Sequence, residues 1–170
     1  MSSGRIADQK RRNARLYAMP EDIQISVASE SELLWCAQVM AATDPWLAYK
    51  FSVERCTGIL RWPGSTLFVA RINEPVGFAL LHPRGFLGCP YLAALAVVPG
   101  LRSRGIGAHL LEFAEAHFSG SRHIYLCVSS FNVRALRFYE LHGYARVGEL
   151  PNFIADGFSE FLMQKRLAQL

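Results

Sequence analysis

Two arginines and three glycines lie close together in residues 97–107, VVPGLRSRGIG. Gly105 and Gly107 have no Cβ that could keep a ligand away from the backbone. Arg102 and Arg104 add positive charge and hydrogen-bond donors of the kind that bind phosphate. If a helix begins here, its unpaired N–H groups and its dipole favour an anion at the same place. The segment therefore predicts a binding site for a phosphorylated ligand.

The residues on either side of this loop predict a strand before it and a helix after it. Residues 91–98 carry no charge and are rich in Leu, Ala and Val, as expected of a buried strand, and Pro99 ends it. From Ile106 onward, apolar residues recur at the spacing of a helix face, at positions Ile106, Leu110, Phe113 and Ala114. A surface turn before an ordinary helix has the same pattern, so this segment does not decide the function alone.

A second segment, about 25 residues downstream, strengthens the assignment. Residues 124–128 predict a short strand, and the next helix begins near Asn132 and ends at Gly143, a residue that readily adopts the left-handed conformation. Together the two segments resemble the Gcn5-related N-acetyltransferase (GNAT) superfamily. Its core carries Arg/Gln-x-x-Gly-x-Gly/Ala, then Asn-x-x-Ala-x-x-x-Tyr and a Gly-Phe/Tyr step, matched here at residues 102–107, 132–139 and 143–144.

The resemblance extends over roughly residues 21–167, in the superfamily's order of elements. It assigns a first strand to residues 22–28, a first helix to 31–42, a second helical region to 44–60, an antiparallel pair to 67–71 and 76–82 with a turn at 73–75, and a last strand to 159–165. The implied fold is a single α/β (α+β) domain with a central mixed, mostly antiparallel sheet flanked by helices. Its fourth and fifth strands splay apart.

What the resemblance implies is that acetyl-CoA is the co-substrate. Pantetheine would lie between the two splayed strands and pair with backbone groups of Leu95, Ala96, Val97 and Val98. A free N–H near Val97 would face the thioester oxygen. The pyrophosphate would be held by the loop residues Arg102, Ser103, Arg104, Gly105, Ile106, Gly107 and Ala108. Asn132 would contact the cofactor arm.

The same resemblance places Tyr139 beside the sulfur, where its hydroxyl would protonate the departing thiolate. The alternative is an aromatic core residue on an amphipathic helix. No general base can be assigned, because the positions that often hold Glu in the family are occupied by Tyr91 and Cys127. The candidates left are Glu74, Glu149, Asp156, Glu160 and His82; a base acting through water, or no strong base, stays open beside them.

The implied reaction is direct acetyl transfer to a primary amine, either a small amine or a peptide α-amine. Asp44-Pro45-Trp46 and residues 157–163 look somewhat like the N-terminal acetyltransferases of ribosomal proteins, whose aromatic peptide-binding loop is matched by residues 151–154. Two alternatives stay open. One is a non-catalytic CoA-binding regulatory module, against which Tyr139 argues; the other is an acetyltransferase acting on RNA-linked aminoacyl groups.

The charge of the chain is unevenly distributed. The net charge is +4, and residues 1–20 carry five basic side chains and one acidic one, so the remaining 150 residues are balanced with 13 of each. We expect a basic, mobile extension over residues 1–20 and an acetyltransferase domain over residues 21–170. A nucleic-acid partner is disfavoured because the domain itself is not basic. Docking of the extension on an acidic partner, or its use as an Arg-rich targeting segment, stays open.

Composition bounds the remaining properties. With 170 residues, 51% of them hydrophobic, the chain can build one core. No apolar run approaches the roughly 20 residues that cross a bilayer, so we expect a soluble, cytoplasmic protein without a membrane partner; a homodimer stays open. The four cysteines form no Cys-x-x-Cys pair, and no histidine spacing gathers metal ligands, so no metal is expected.

Overall fold

The computed structural model describes residues 23–167, so the predicted extension over residues 1–20 lies outside the described residues. The described part contains seven strands and four α-helices. In chain order they are β1 Gln24–Val27, α1 Glu30–Ala41, α2 Val53–Leu60, β2 Thr66–Ile72, β3 Glu74–Phe86, β4 Cys89–Val97, α3 Ile106–His117, β5 His123–Ser129, α4 Val133–Leu141, β6 Ala145–Pro151 and β7 Ser159–Arg166. A short 3₁₀ turn, Pro99–Leu101, lies between β4 and α3.

The seven strands form one sheet in the order β1-β2-β3-β4-β5-β7-β6. Every neighbouring pair is antiparallel except β4 and β5, which are parallel and paired only between Tyr91 and Tyr125. Beyond that pair the two strands diverge, which confirms the predicted mixed sheet with a splay between its fourth and fifth strands. Residues 92–97 and 126–129 therefore line an open gap in the middle of the sheet.

Local signals in the sequence fix the helix ends. Ser29 caps α1 in a reciprocal capping box with Glu32. Asn132 caps α4, because its Oδ1 accepts a hydrogen bond from the backbone N–H of Ala135 at 3.2 Å. Gly143 follows α4 with a φ of +86°. The predicted boundaries of this second helix are thus confirmed.

Two elements differ from the sequence-based expectation. In the predicted helical region 44–60, only Val53–Leu60 is helical, because Lys50 has a φ of +56° and Ser52 caps a new helix. Strand β6 was not expected. Its residues are mostly exposed, so the apolar alternation that would reveal a strand is weak. It pairs with β7 at the edge of the sheet.

The sheet separates two apolar cores. One lies against α3 and α4 and contains Leu110, Leu111 and Ala114. The other lies against α1 and α2 and contains Met40, Phe78 and other buried residues. Packing on both faces holds the sheet around the gap. No helix within residues 23–167 is long and apolar enough to span a membrane.

Candidate active site

Two cavities meet at the gap between β4 and β5. The first, here called the basic cavity, has a volume of about 480 Å³ and lies beside the loop after β4 and along α4. The second, the aromatic cavity, has a volume of about 530 Å³ and lies on the other side of the gap. Both cavities are lined by the same six residues where they meet: Asp44, Trp46, Leu95, Asn132, Ala135 and Tyr139.

The glycines of the loop shape the basic cavity. Gly105 has a φ of +82° and is the N-cap residue of α3, so the chain turns there through the left-handed region. A Cβ added to Gly107 would meet Phe138 at 3.5 Å, an ordinary contact distance. Packing within the protein therefore does not demand glycine at position 107. Because Gly107 and Phe138 both line the cavity, a branched side chain there would take up space available to a ligand.

Three arginines line the basic cavity. Nε of Arg102 donates a hydrogen bond to the carbonyl of Val97 at 3.1 Å, and Nη2 of Arg134 donates to Oγ of Ser103 at 3.1 Å. Burial, followed by the nearby charge of Arg134, lowers the pKa of Arg102. Arg137 is the third arginine of the wall. Such a concentration of guanidinium groups beside a helix N-terminus suits a phosphate ligand.

The structure divides the predicted cofactor residues into two groups. Leu95, Ala96, Val97, Arg102, Ser103, Gly105, Gly107, Ala108, Asn132 and Tyr139 line the basic cavity. Val98, Arg104 and Ile106 do not: Arg104 is exposed, and the Ile106 side chain is buried in the core. Conversely, Arg134 and Arg137 were missed, although their spacing of three residues directly after Asn132 could have placed both on one side of the helix.

The backbone of β4 offers polar groups to the gap at alternate residues. The N–H of Val98 donates to the carbonyl of Val76 at 3.0 Å, so Val98 faces β3. Residues of an antiparallel strand alternate between facing their partner and facing away. Val97 and Leu95 therefore direct their N–H and C=O groups toward the gap, whereas Ala96, like Val98, faces β3.

Tyr139 lies where the two cavities join. Its side chain is 8% exposed, and its ring packs against Phe138 and Tyr144 at centroid distances of 5.1 and 5.6 Å. Burial raises the pKa of Tyr139, so its hydroxyl stays protonated at neutral pH. The residue thus belongs to the core and still presents a proton donor at the junction.

Aromatic side chains and one buried carboxylate characterise the aromatic cavity. Its aromatic lining consists of Trp46, Tyr49, Phe51, Trp62, Phe86, Tyr91, Tyr139 and Phe153. Glu160 also lines it and is 5% exposed. Oγ of Ser129 donates to Oε1 of Glu160 at 2.7 Å, and the Tyr49 hydroxyl donates to the same oxygen. We refer to Tyr49, Ser129 and Glu160 as the Glu160 cluster.

Of the acidic and histidine candidates for a base, Glu160 is the one that the structure places in the site. Glu74, Glu149, Asp156 and His82 line neither cavity. Tyr91 and Cys127, at the positions where the family often has Glu, do line the aromatic cavity. Burial raises the pKa of both, so they remain neutral at neutral pH.

Comparison with known proteins agrees with this geometry. The family model described as "Acetyltransferase (GNAT) family" matches residues 30–144. The chain belongs to this family.

Among individual relatives, Uncharacterized protein ML0378 from Mycobacterium leprae is 29% identical over 154 residues, covering 85% of this chain and 41% of that protein. The chain thus spans less than half the length of this relative.

Solved structures show the same fold. The ribosomal-protein-S18-alanine N-acetyltransferase from Escherichia coli is 18% identical with a TM-score of 0.71, covering 88% of this chain and 96% of that one. An aminoglycoside 6'-N-acetyltransferase complexed with coenzyme A is 20% identical with a TM-score of 0.68, covering 85% of this chain and 97% of that one. These likenesses establish the fold.

Proposed function

We propose that this chain is an N-acetyltransferase that transfers the acetyl group of acetyl-CoA directly to a primary amine. The observation that carries the proposal is the pair of cavities with opposite charge that join at Tyr139. Arg102, Arg134 and Arg137 line one, whereas the other contains Glu160 and no Lys, Arg or His among the described residues. An anionic co-substrate on one side and a cationic amine on the other match this distribution.

The basic cavity fits CoA by its shape and its donors. Gly105 and Gly107 leave the helix N-terminus open to the pyrophosphate, and Arg102 and Arg134 supply charge-assisted hydrogen bonds. The N–H of Val97 faces the gap, where it would stabilise the negative charge that develops on the thioester oxygen. The side-chain amide of Asn132 lines the same passage. A solved structure with the same fold was obtained in complex with coenzyme A, which supports this choice of ligand.

Tyr139 completes the transfer on the donor side. As the amine nitrogen bonds to the carbonyl carbon and the C–S bond breaks, the thiolate needs a proton. Tyr139 lies at the junction, and its hydroxyl, protonated at neutral pH, would provide that proton. A proton donor at the junction favours an enzyme over a non-catalytic CoA-binding module, because such a module would not need one.

The acceptor is proposed to be a small amine or a peptide α-amine. Relatives with this fold include enzymes named for aminoglycosides and for a ribosomal protein. An RNA-linked acceptor is disfavoured, because none of the described residues that line the aromatic cavity is basic and could bind a phosphate backbone. We also propose that residues 21–170 form the catalytic domain; a cytoplasmic location and the role of residues 1–20 remain predictions.

Release of CoA from acetyl-CoA, measured against a panel of amines and short peptides, tests the proposal. We expect amine-dependent release of CoA with at least one primary amine that carries no other charged group. Binding of acetyl-CoA without amine-dependent release by any member of a broad panel would favour the non-catalytic module.

A further inference from the structure

Glu160 is a buried charge that has no cationic partner among residues 23–167. It is the only charged side chain among the buried residues of the described part of the chain. Placing a carboxylate out of water is costly unless a cation or several donors compensate it. None of the ion pairs within residues 23–167 involves Glu160. Its compensation consists of two hydroxyl donors, and both bind Oε1. No described residue donates to Oε2.

The Glu160 cluster is held in place from three parts of the fold. Ser129 and Glu160 are directly opposite each other in the β5–β7 pairing. The Tyr49 ring packs against Phe131 and Phe158 at 5.6 and 5.4 Å. Burial, followed by the hydrogen bond to Glu160, raises the pKa of Tyr49 to about 12, so it remains a donor. The carboxylate is therefore fixed in direction rather than free to turn toward water.

The surroundings of the cluster favour a cation. Within the described part of the chain, the other ionisable side chains that line the aromatic cavity are Asp44, Tyr49, Tyr91, Cys127 and Tyr139, and none of them carries a positive charge. Tyr91, Cys127 and Tyr139 also connect Glu160 to the junction of the two cavities, since all of them line the same space. A protonated primary amine would thus find in Glu160 both a counter-charge and a proton acceptor.

We propose that Glu160 binds the acceptor as an ammonium ion and accepts its proton before acetyl transfer, an inference that rests on the proposed function. The ammonium N–H proton moves to Oε2, which leaves a neutral amine and a neutral carboxylic acid. The nitrogen lone pair then forms the C–N bond while the C–S bond breaks, and Tyr139 protonates the sulfur. The second proton lost by nitrogen returns to Tyr139, and Glu160 loses its proton to water.

The aromatic cavity also restricts the rest of the acceptor molecule, the part to which the amine is attached. Its walls are aromatic, and both of its carboxylates, Asp44 and Glu160, repel a negative charge. A free α-amino acid would bring its own carboxylate next to the reacting nitrogen. The acceptor class is therefore a primary amine on an apolar, non-anionic body, such as an arylalkylamine or the first residue of a peptide with an apolar side chain.

Glu160→Gln tests the proposal, because the amide keeps the shape and can still accept hydrogen bonds at its oxygen. With 2-phenylethylamine as acceptor, we expect kcat/KM at pH 7 to fall roughly 10²-fold or more, as for loss of a positioned base. The difference in kcat/KM between variant and parent should become smaller as the pH rises, because more of the amine is then neutral. Affinity for acetyl-CoA should not change. Glu149→Gln, on the neighbouring strand and outside both cavities, is the matched control and should retain full activity.

Two results would overturn the proposal. One is a Glu160→Gln enzyme as active as the parent, and the other is a loss of kcat/KM that is equal at every pH. If that variant does not fold, Ser129→Ala removes one donor and keeps the carboxylate. Without that donor the carboxylate is held less firmly in its position, so kcat/KM for 2-phenylethylamine should fall roughly tenfold, as for loss of a hydrogen bond to a charged group, while the Kd of acetyl-CoA stays the same. An unchanged kcat/KM would count against Glu160. A parent enzyme without any amine-dependent turnover would instead refute the proposed function itself.

Three acceptors that share the same phenyl ring test the proposed class of acceptor. Phenylalanine amide and 2-phenylethylamine should be acetylated, whereas phenylalanine should react at least tenfold more slowly. Equal rates with phenylalanine would show that the carboxylates of the cavity do not select the acceptor.

Discussion

The basic and the aromatic cavity share one junction and differ in almost everything else. The basic cavity is built mainly from two short stretches, residues 95–108 around the end of β4 and residues 132–142 along α4, and its wall contains three guanidinium groups. The aromatic cavity draws on β3, β4, β5, β7 and the turns before α2, and its buried charge is a carboxylate. Under the proposed function, this difference makes the splay the boundary between an anion site and an amine site, with Tyr139 between them.

The largest expected effect comes from closing the basic cavity. In Gly107→Val, the branched side chain takes up ligand space, so acetyl-CoA binding and turnover should both be lost. At a ligand concentration of 100 times Kd, the parent should gain about 2.7 kcal/mol of stability, and the variant none, as measured by the shift in Tm. Gly120→Val, where an added Cβ meets nothing within 4 Å, is the control. If acetyl-CoA raised the Tm of Gly107→Val as much as that of the parent, acetyl-CoA would not bind in this cavity. Gly105→Val is less informative because a φ of +82° already strains any branched residue.

Removing the donor at the junction should lower kcat without affecting cofactor binding. Tyr139→Phe keeps the ring and removes the hydroxyl, so kcat should fall about 10²- to 10⁴-fold while the Kd of acetyl-CoA stays the same. Tyr144→Phe is a close control, because this neighbouring buried ring lines neither cavity. Full activity of Tyr139→Phe would mean that Tyr139 has a purely structural role.

A smaller effect should distinguish the arginines that line the basic cavity from the one that does not. Arg102→Ala should weaken acetyl-CoA binding by about 1–3 kcal/mol, the usual range for a charged hydrogen bond, and Arg134→Ala should act in the same direction. Arg104→Ala should leave titration calorimetry of acetyl-CoA unchanged, since Arg104 is exposed outside the cavity. Equal losses for all three would mean that general positive charge, rather than the cavity wall, binds the ligand.

The smallest expected change concerns alkaline pH. Burial raises the pKa of Tyr139 above the ordinary value of 10.0 for tyrosine, so its hydroxyl remains a donor at pH values up to about 10. The kcat profile should therefore show no decline from this group between about pH 8 and pH 10, where a tyrosine with the ordinary pKa would begin to lose its proton. A decline centred near pH 9 that disappears in Tyr139→Phe would contradict the environment described for it.

The sequence predicted the basic cavity better than the aromatic one, for a physical reason. Backbone cradles depend on glycines and caps that are neighbours in the chain, as in residues 102–107 and at Asn132, and the splayed fold followed from the same motifs. Glu160, in contrast, contacts Ser129 at a separation of 31 positions and Tyr49 at 111. The pairing of β5 with β7 brings Ser129 and Glu160 together, and the packing of the Tyr49 ring on Phe131 and Phe158 adds the third member. The exposed edge strand β6 was missed because its residues bury little apolar surface.

The central claim is that both substrates occupy their cavities at once and that acetyl moves directly between them. Initial rates of CoA release, with the amine varied at several fixed concentrations of acetyl-CoA, test it most directly. Direct transfer predicts double-reciprocal lines that intersect. Parallel lines would indicate an acetylated enzyme, with Cys127 in the aromatic cavity as the thiol to examine, and would contradict the account.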